Sequence, residues 1–143
     1  MTSGRARIIL VVDDDADDRM FVRRALREID PGFVVAEAVD GVDAIAYLRD
    51  LSNTRPDLVL LDLKMPRKDG LETLADIRAD PLLRRPPVIV MFTTATNPEY
   101  VERAYLTGAN AYVGKPSTLA GLREIMAGLT RYWFELATLP GGP

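Results

Sequence analysis

Short apolar runs without polar alternation are the strongest pattern along the chain. Three of them, Ile8 to Val12, Leu58 to Leu61 and Val88 to Phe92, are made almost wholly of Val, Ile and Leu. Such runs predict strands that are buried on both faces, as in a parallel sheet with helices above and below it. Two weaker runs, Phe33 to Val35 and Ala111 to Val113, predict two further strands.

Between these runs, apolar residues recur at spacings of three and four, which predicts amphipathic helices. The five stripes consist of Met20, Val22, Ala25, Leu26 and Ile29; Val42, Ile45, Ala46 and Leu48; Leu71, Leu74 and Ile77; Val101, Ala104 and Tyr105; and Leu122, Ile125, Met126, Leu129 and Trp133. Strands and helices therefore alternate. We predict an α/β fold, a doubly wound five-stranded parallel sheet with right-handed crossovers.

Composition narrows the possible chemistry. The 143 residues carry 18 basic and 21 acidic side chains, a net charge of −3, so we expect no nucleic acid as a partner. The chain has no cysteine and no histidine, which excludes disulfides, zinc-thiolate sites, and thiol or imidazole nucleophiles. No apolar run is long enough for a signal peptide or a membrane span, so we expect a cytoplasmic protein without a membrane partner.

Polar, reactive residues follow four of the predicted strands directly. They are Asp13, Asp14 and Asp15 after the first strand, Asp62 after the third, Thr93 and Thr94 after the fourth, and Lys115 and Pro116 after the fifth. The carboxyl ends of parallel strands share one edge of the sheet, where ligands bind. Converging carboxylates repel one another unless a cation neutralises them, and oxygen ligands favour Mg²⁺. The amine and the hydroxyl suit a phosphoryl group, and one aspartate could be its nucleophile.

Each residue also has a simpler interpretation. The aspartates after the first strand could only favour a helix N-terminus. Asp62 could mark a turn, Thr93 could be a strand-end hydroxyl, and Lys115 could be a surface lysine. Their joint placement, each directly after its own strand, favours a functional site.

Two competing motifs fail. A calcium loop starting at Asp13 would need Gly at the sixth position and Glu at the twelfth, where the chain has Asp18 and Arg24. The segment from Gly108 to Lys115 lacks P-loop spacing and has Pro116 where Ser or Thr is required.

The segments VVDDD (11–15), PDLVLLDLKMPRKDG (56–70), VIVMFTT (88–94) and YVGKP (112–116) together resemble the receiver domain of two-component response regulators. The resemblance covers nearly the whole chain. It implies a CheY-like, flavodoxin-like fold with strand order 2-1-3-4-5. It also implies one receiver domain over 1–143, with a core of about 7–129 and a C-terminal helix extension, 130–143. The segment 132–140 further resembles the single-domain, phytochrome-associated response regulators.

By this resemblance Asp62 would be the phosphoacceptor. Asp14 and Asp62 would bind Mg²⁺ through their side chains, Lys64 through its backbone carbonyl, and Asp13 through a water molecule.

The resemblance also assigns the remaining site residues. Thr93 would be the switch hydroxyl, although Thr94 beside it leaves an ambiguity that the family spacing resolves toward Thr93. Tyr112 would be the switch aromatic, and Lys115 would be the counter-ion of the phosphoryl group. The bond between Lys115 and Pro116 would be cis, which an X-Pro bond permits at modest cost.

The implied function is that of a stand-alone response regulator. It would accept a phosphoryl group on Asp62 from a histidine kinase of the phytochrome type and switch a protein-interaction surface. Its only catalysis would be Mg²⁺-dependent self-phosphorylation and autodephosphorylation.

One rival function is that of a phosphohydrolase of the haloacid-dehalogenase type. Asp17 departs from the D-x-D-x-T/V motif of that class, however, and no late acidic pair follows Lys115. The other rival is a degenerate receiver that acts only as a binding module.

The last helical stripe continues through Tyr132, Trp133 and Leu136. These residues could fold back over the domain's own core. Because apolar surface patches often mark interfaces, and because the phytochrome-type regulators pair through this end, we expect a homodimer instead.

Overall fold

Five parallel strands form the centre of the protein in a computed structural model that describes residues 5–83 and 87–140. The strands are β1 (Ile8–Val12), β2 (Val34–Ala38), β3 (Leu58–Leu61), β4 (Val88–Thr93) and β5 (Ala111–Gly114). Their order across the sheet is β2-β1-β3-β4-β5, and every neighbouring pair is parallel. The predicted fold class and strand order are therefore confirmed.

Helices connect and cover the strands. They are α1 (Ala16–Ile29), α2 (Gly41–Arg49), α3 (Gly70–Ala79), α4 (Pro98–Thr107) and α5 (Leu119–Arg131), and α5 runs on into a π-helical turn, Tyr132–Leu136. Four of the helices begin at a side chain that accepts a hydrogen bond from the first turn. These N-cap residues are Asp15, Asp40, Asp69 and Thr118. Such caps satisfy backbone N–H groups that have no partner inside the helix.

The core lies on both faces of the sheet. Leu10, Val59 and Ile89 pack toward α2, α3 and α4, whereas Ile9 and Leu60 belong to a second cluster with α1 and α5. Alternate residues of a strand point to opposite faces, so burial of both faces requires an apolar residue at nearly every position. This requirement explains the apolar runs of the sequence.

The π-helical turn closes over the amino ends of β1 and β2. The ring of Phe134 lies 5.6 Å from that of Phe33, and the Arg7 guanidinium lies 5.2 Å from the centre of the Phe134 ring. Trp133 is also partly buried against the α1 and α5 side of the core. Tyr132 and Leu136 remain 52% and 62% exposed.

The C-terminal segment thus divides between core and surface. Trp133 folds back over the core, as the alternative interpretation had it, while Tyr132 and Leu136 still offer apolar surface. The ends of the predicted domain, residues 1–4 and 141–143, lie outside the described residues. Within the described ranges, no helix is both long enough and apolar enough to cross a membrane.

Candidate functional site

The carboxyl edge of the sheet brings the predicted site residues together. The backbone N–H of Asp13 donates to the Ala38 carbonyl at 3.1 Å, and that of Asp62 donates to the Val12 carbonyl at 3.0 Å. The N–H of Lys115 donates to the Thr93 carbonyl at 2.9 Å. Each functional residue therefore extends the hydrogen-bonded ladder just past its strand, and the sheet fixes its position.

Lys115 is the electrostatic centre of this edge. Its ammonium nitrogen lies 2.6 Å from Asp13 Oδ2, 2.9 Å from Asp18 Oδ2 and 3.4 Å from Asp62 Oδ2. Burial disfavours the ammonium, but the hydrogen bonds to Asp13 and Asp18 and the charge of Asp62 outweigh burial and raise the pKa of Lys115. Lys115 is therefore a permanent cation that touches the predicted phosphoacceptor.

Three carboxylates converge beside this lysine. One oxygen from each of Asp13, Asp14 and Asp62 can be chosen so that all three lie within 4.8 Å of one another. Asp13 and Asp62 are only 4% and 9% exposed, whereas Asp14 is exposed and leaves the group open to solvent. Burial raises the pKa of Asp13, and the Lys115 ammonium opposes that rise. A single ammonium cannot balance this many carboxylates, and the all-oxygen donor set fits a hard divalent cation.

The loop after β3 starts at the buried carboxylate of Asp62. Asp62 Oδ1 accepts a hydrogen bond from the Leu63 N–H at 2.8 Å, which orients the carboxyl group. Further along, the Gly70 N–H donates to the Leu63 carbonyl at 2.7 Å. A Cβ at Gly70 would lie 2.2 Å from the Asp62 carbonyl oxygen, so only glycine permits this approach. Lys64 lies in the same loop with an exposed side chain.

Thr93 and Tyr112 meet at the loop after β4. Thr93 is 1% exposed, and its hydroxyl oxygen accepts a hydrogen bond from the Ala95 N–H at 3.2 Å. The Tyr112 hydroxyl donates to the Ala95 carbonyl, so its half-buried ring already lies inward in this structure. Burial, followed by the negative charge of Asp62, raises the pKa of Tyr112. Thr94 is exposed, and burial thus favours Thr93 as the hydroxyl of the site.

The prediction of a cis peptide bond between Lys115 and Pro116 is wrong. No cis peptide bond occurs within residues 5–83 and 87–140, and this bond is trans. The trans form of an X-Pro bond is intrinsically favoured by about 0.5–1 kcal/mol. Lys115 reaches its carboxylate partners without the cis form.

Two residues of the site were not singled out from the sequence. Asp18, in the first turn of α1, accepts the second hydrogen bond of Lys115, yet the pattern showed it only as a misfit in a calcium loop. Arg19 donates to the Asp13 carbonyl at 2.6 Å and to Glu37 at 3.0 Å. The usable signal was their place in the first turn after β1, since a helix that follows a strand starts at the same edge of the sheet.

Comparison with known families agrees with this geometry. The family model described as "Response regulator receiver domain" matches residues 9–127. The chain belongs to the response regulator receiver domain family. The predicted family, and with it the class of signalling protein, is confirmed.

Two relatives of this receiver domain, Rcp1 and RcpA, match over almost their whole length. Response regulator Rcp1 of Synechocystis sp. is 36% identical over 144 residues, which cover 96% of each chain. The crystal structure of the phosphorylated cyanobacterial phytochrome response regulator RcpA has a TM-score of 0.87 and 37% identity. That match covers 96% of this chain and 100% of RcpA. The Mn²⁺-bound form of Rcp1 has a TM-score of 0.84 and 34% identity, with 94% and 99% coverage. The predicted similarity to phytochrome-associated regulators is also confirmed.

Proposed function

We propose that Asp62 accepts a phosphoryl group from the phosphohistidine of a sensor kinase. The observation that carries this proposal is the meeting of Asp62 with the Lys115 ammonium, at 3.4 Å, beside the carboxylates of Asp13 and Asp14. One oxygen of Asp62 is held by the Leu63 N–H, so the other, Oδ2, is the nucleophile.

The transfer exchanges one bond to phosphorus for another. Asp62 Oδ2 forms a bond to phosphorus while the bond from phosphorus to the histidine nitrogen breaks, and the electron pair stays on the imidazole. Lys115 then turns from the Asp62 carboxylate to a phosphoryl oxygen, where its charge is needed in the transition state and the product. Asp13 and Asp18 keep the ammonium at this place throughout.

We propose that the divalent cation bound at this site is Mg²⁺. The side chains of Asp14 and Asp62 and the backbone carbonyl of Lys64 would hold it directly, and Asp13 would hold it through a water molecule. When bound, it supplies positive charge to the oxygens of the phosphoryl group. The all-carboxylate donor set supports this assignment, as does the Mn²⁺-bound form of the related Rcp1.

The loop after β4 is proposed to transmit the signal. The Thr93 hydroxyl would leave the Ala95 N–H and donate to a phosphoryl oxygen. Because Tyr112 is bonded to the carbonyl of the same Ala95, movement of this loop changes the surface formed by α4 and β5.

The proposed partners are a histidine kinase and a second copy of the chain. The relationship to the phytochrome response regulator RcpA supports a kinase of the phytochrome type. The exposed Tyr132 and Leu136 would form the twofold contact, with Trp133 holding them from below.

Intact-mass measurement after incubation with acetyl phosphate tests the acceptor. The wild type should gain one phosphoryl mass in Mg²⁺ and none in chelator, whereas Asp62→Asn should gain none because an amide is not a nucleophile. Asp17→Asn is the matched control, since Asp17 is an exposed carboxylate near the same edge without a hydrogen bond to Lys115. Full labelling of Asp62→Asn would refute the assignment.

Sedimentation tests the homodimer. The wild type should sediment as a dimer at tens of micromolar, and the double variant Tyr132→Ser, Leu136→Ser should sediment as a monomer. Leu51→Ser is the control, because Leu51 is 96% exposed and lies on another surface. A monomeric wild type, with or without acetyl phosphate, would contradict the proposal.

A further inference from the structure

Arg67 has a backbone conformation that its residue type disfavours. Its φ is 64°, and it is the sole non-glycine residue with positive φ in residues 5–83 and 87–140. A side chain with a Cβ is strained in this left-handed region, whereas glycine is not. Such strain persists only where the surroundings enforce it.

The side chain of Arg67 supplies the enforcing contact. Its Nε donates to Asp40 Oδ2 at 2.6 Å, and its Nη2 donates to Asp40 Oδ1 at 3.1 Å, which makes a two-pronged guanidinium–carboxylate pair. Asp40 is 3% exposed and also accepts a hydrogen bond from the Asp43 N–H at 2.9 Å, as the N-cap of α2. The carboxylate is therefore a fixed anchor on a rigid helix.

The pair joins two loops at the carboxyl edge. Arg67 belongs to the loop after β3, and Asp40 to the loop after β2. A second contact runs alongside, from the Gly41 N–H to the Lys68 carbonyl at 3.3 Å. A Cβ at Gly41 would lie 2.7 Å from that same carbonyl, so the two loops touch through their backbones.

Both loops support proposed metal ligands. The loop after β3 begins at Asp62 and contains Lys64, three residues before Arg67. The β2 side supports Asp13, whose N–H donates to the carbonyl of Ala38, two residues before Asp40. The contact between Arg67 and Asp40 thus fixes the loop that carries Asp62 and Lys64 against the strand that supports Asp13.

We propose that Arg67 is a positioning residue for the divalent cation. Through Asp40 it holds residues 63–69 in the cation-binding conformation before the ion arrives. This inference rests on the proposed function, since it takes the acidic edge to be the metal site. We call the Arg67–Asp40 pair the clamp. Without the clamp, residues 63–69 would have to become ordered when the ion binds, and the cost of this ordering would weaken the affinity for the ion. Loss of a group that orients metal ligands typically weakens affinity about tenfold or more.

Calorimetric titration of the full chain with Mg²⁺ alone measures this affinity. Arg67→Ala should bind Mg²⁺ about tenfold more weakly than the wild type. Lys68→Ala is the matched control, because it removes a neighbouring cation that pairs with Asp76 rather than Asp40. It changes the loop's charge equally and should leave affinity within about twofold of the wild type.

A double-variant cycle locates the effect in the pair. Asp40→Asn should weaken Mg²⁺ binding as Arg67→Ala does, and the combination should be no weaker than either variant alone. If the two fold-losses of Mg²⁺ affinity multiplied in the double variant, the two residues would act independently and the proposal would be refuted.

Arg67→Gly separates positioning from folding. Glycine relieves the strain at φ 64° and lacks the guanidinium, so Mg²⁺ affinity should fall about tenfold while the thermal midpoint of the metal-free protein falls less than in Arg67→Ala. Unchanged affinity in Arg67→Ala and Arg67→Gly, with a wild type that binds Mg²⁺, would overturn only this inference. A wild type that binds no Mg²⁺ would instead refute the proposed metal site, and the clamp with it.

Discussion

The two ends of the same sheet are built on opposite principles. At the carboxyl end, Asp13, Asp18 and Asp62 surround the single ammonium of Lys115. At the amino end, Phe134 packs on Phe33 under the guanidinium of Arg7. One end concentrates charge in loops whose contacts change in the proposed switch, and the other closes an apolar core.

This difference shows where stability and function reside. Like charges held together in a partly buried site cost folding free energy, and the proposed phosphoryl chemistry explains why they are kept. Apolar rings removed from water stabilise the fold by about 25 cal/mol per Å² buried. Substitutions at the amino end should therefore lower the stability and leave phosphorylation unchanged, whereas substitutions at the carboxyl end should abolish phosphorylation without loss of stability.

Removal of the Phe134 ring should have the largest effect on stability. Phe134→Ala should lower the free energy of unfolding by about 2 kcal/mol, less than for a fully buried phenylalanine because the ring is half-buried. Glu135→Ala, in the same turn but exposed, is the control and should change the free energy of unfolding by less than about 0.5 kcal/mol. Urea unfolding measures both. Labelling of Phe134→Ala by acetyl phosphate should stay at the wild-type level, and a loss of labelling would break the separation of the two ends.

The fold was predictable because it depends on a pattern that tertiary contacts rarely override. Burial on both faces forces the strands of a parallel sheet to be apolar throughout, and β1, β3 and β4 show this directly. The edge strand β2 is weaker in pattern because Val34 and Glu37 are exposed, and the sequence showed only its first part.

The site was predictable where a residue follows its strand in sequence. Asp62, Thr93 and Lys115 are placed by the sheet itself. Asp18 and Arg67 act through side chains that reach across to another element, and no spacing in the sequence encodes such a reach. Trp133 shows the same limit, since one helical stripe can face the core at one residue and solvent at the next when the helix widens into a π turn.

Relief of charge repulsion at the carboxyl end should have a moderate effect. Asp62→Asn, which removes the proposed phosphoacceptor, should raise the free energy of unfolding in metal-free buffer by about 1 kcal/mol, because one of the crowded carboxylates becomes neutral. Asp17→Asn, an exposed carboxylate without a hydrogen bond to Lys115, should change it much less. Added Mg²⁺ should stabilise the wild type more than Asp62→Asn, since ligand binding to the native state adds to its stability. Equal urea midpoints for Asp62→Asn and the wild type in chelator would show that the charge cluster carries no cost.

The smallest expected effect is the loss of stability in acid, which should be similar at the two ends of the sheet. Arg67 lowers the pKa of Asp40 at the carboxyl end, and Arg49 lowers that of Asp80, which follows α3 toward the amino end. A carboxyl group whose folded pKa lies below its unfolded value of about 3.9 contributes stability above that value and loses it as the pH falls through the folded pKa. The urea midpoint should therefore drop between pH 5 and pH 3, and Asp40→Asn and Asp80→Asn should each make that drop shallower. Glu124→Gln, which removes an exposed carboxylate on α5, is the control and should leave the slope unchanged. If neither aspartate variant reduced the drop of the urea midpoint between pH 5 and pH 3, other groups would be responsible for the sensitivity to acid. The Arg67–Asp40 and Arg49–Asp80 pairs would then not be equivalent supports of the two ends.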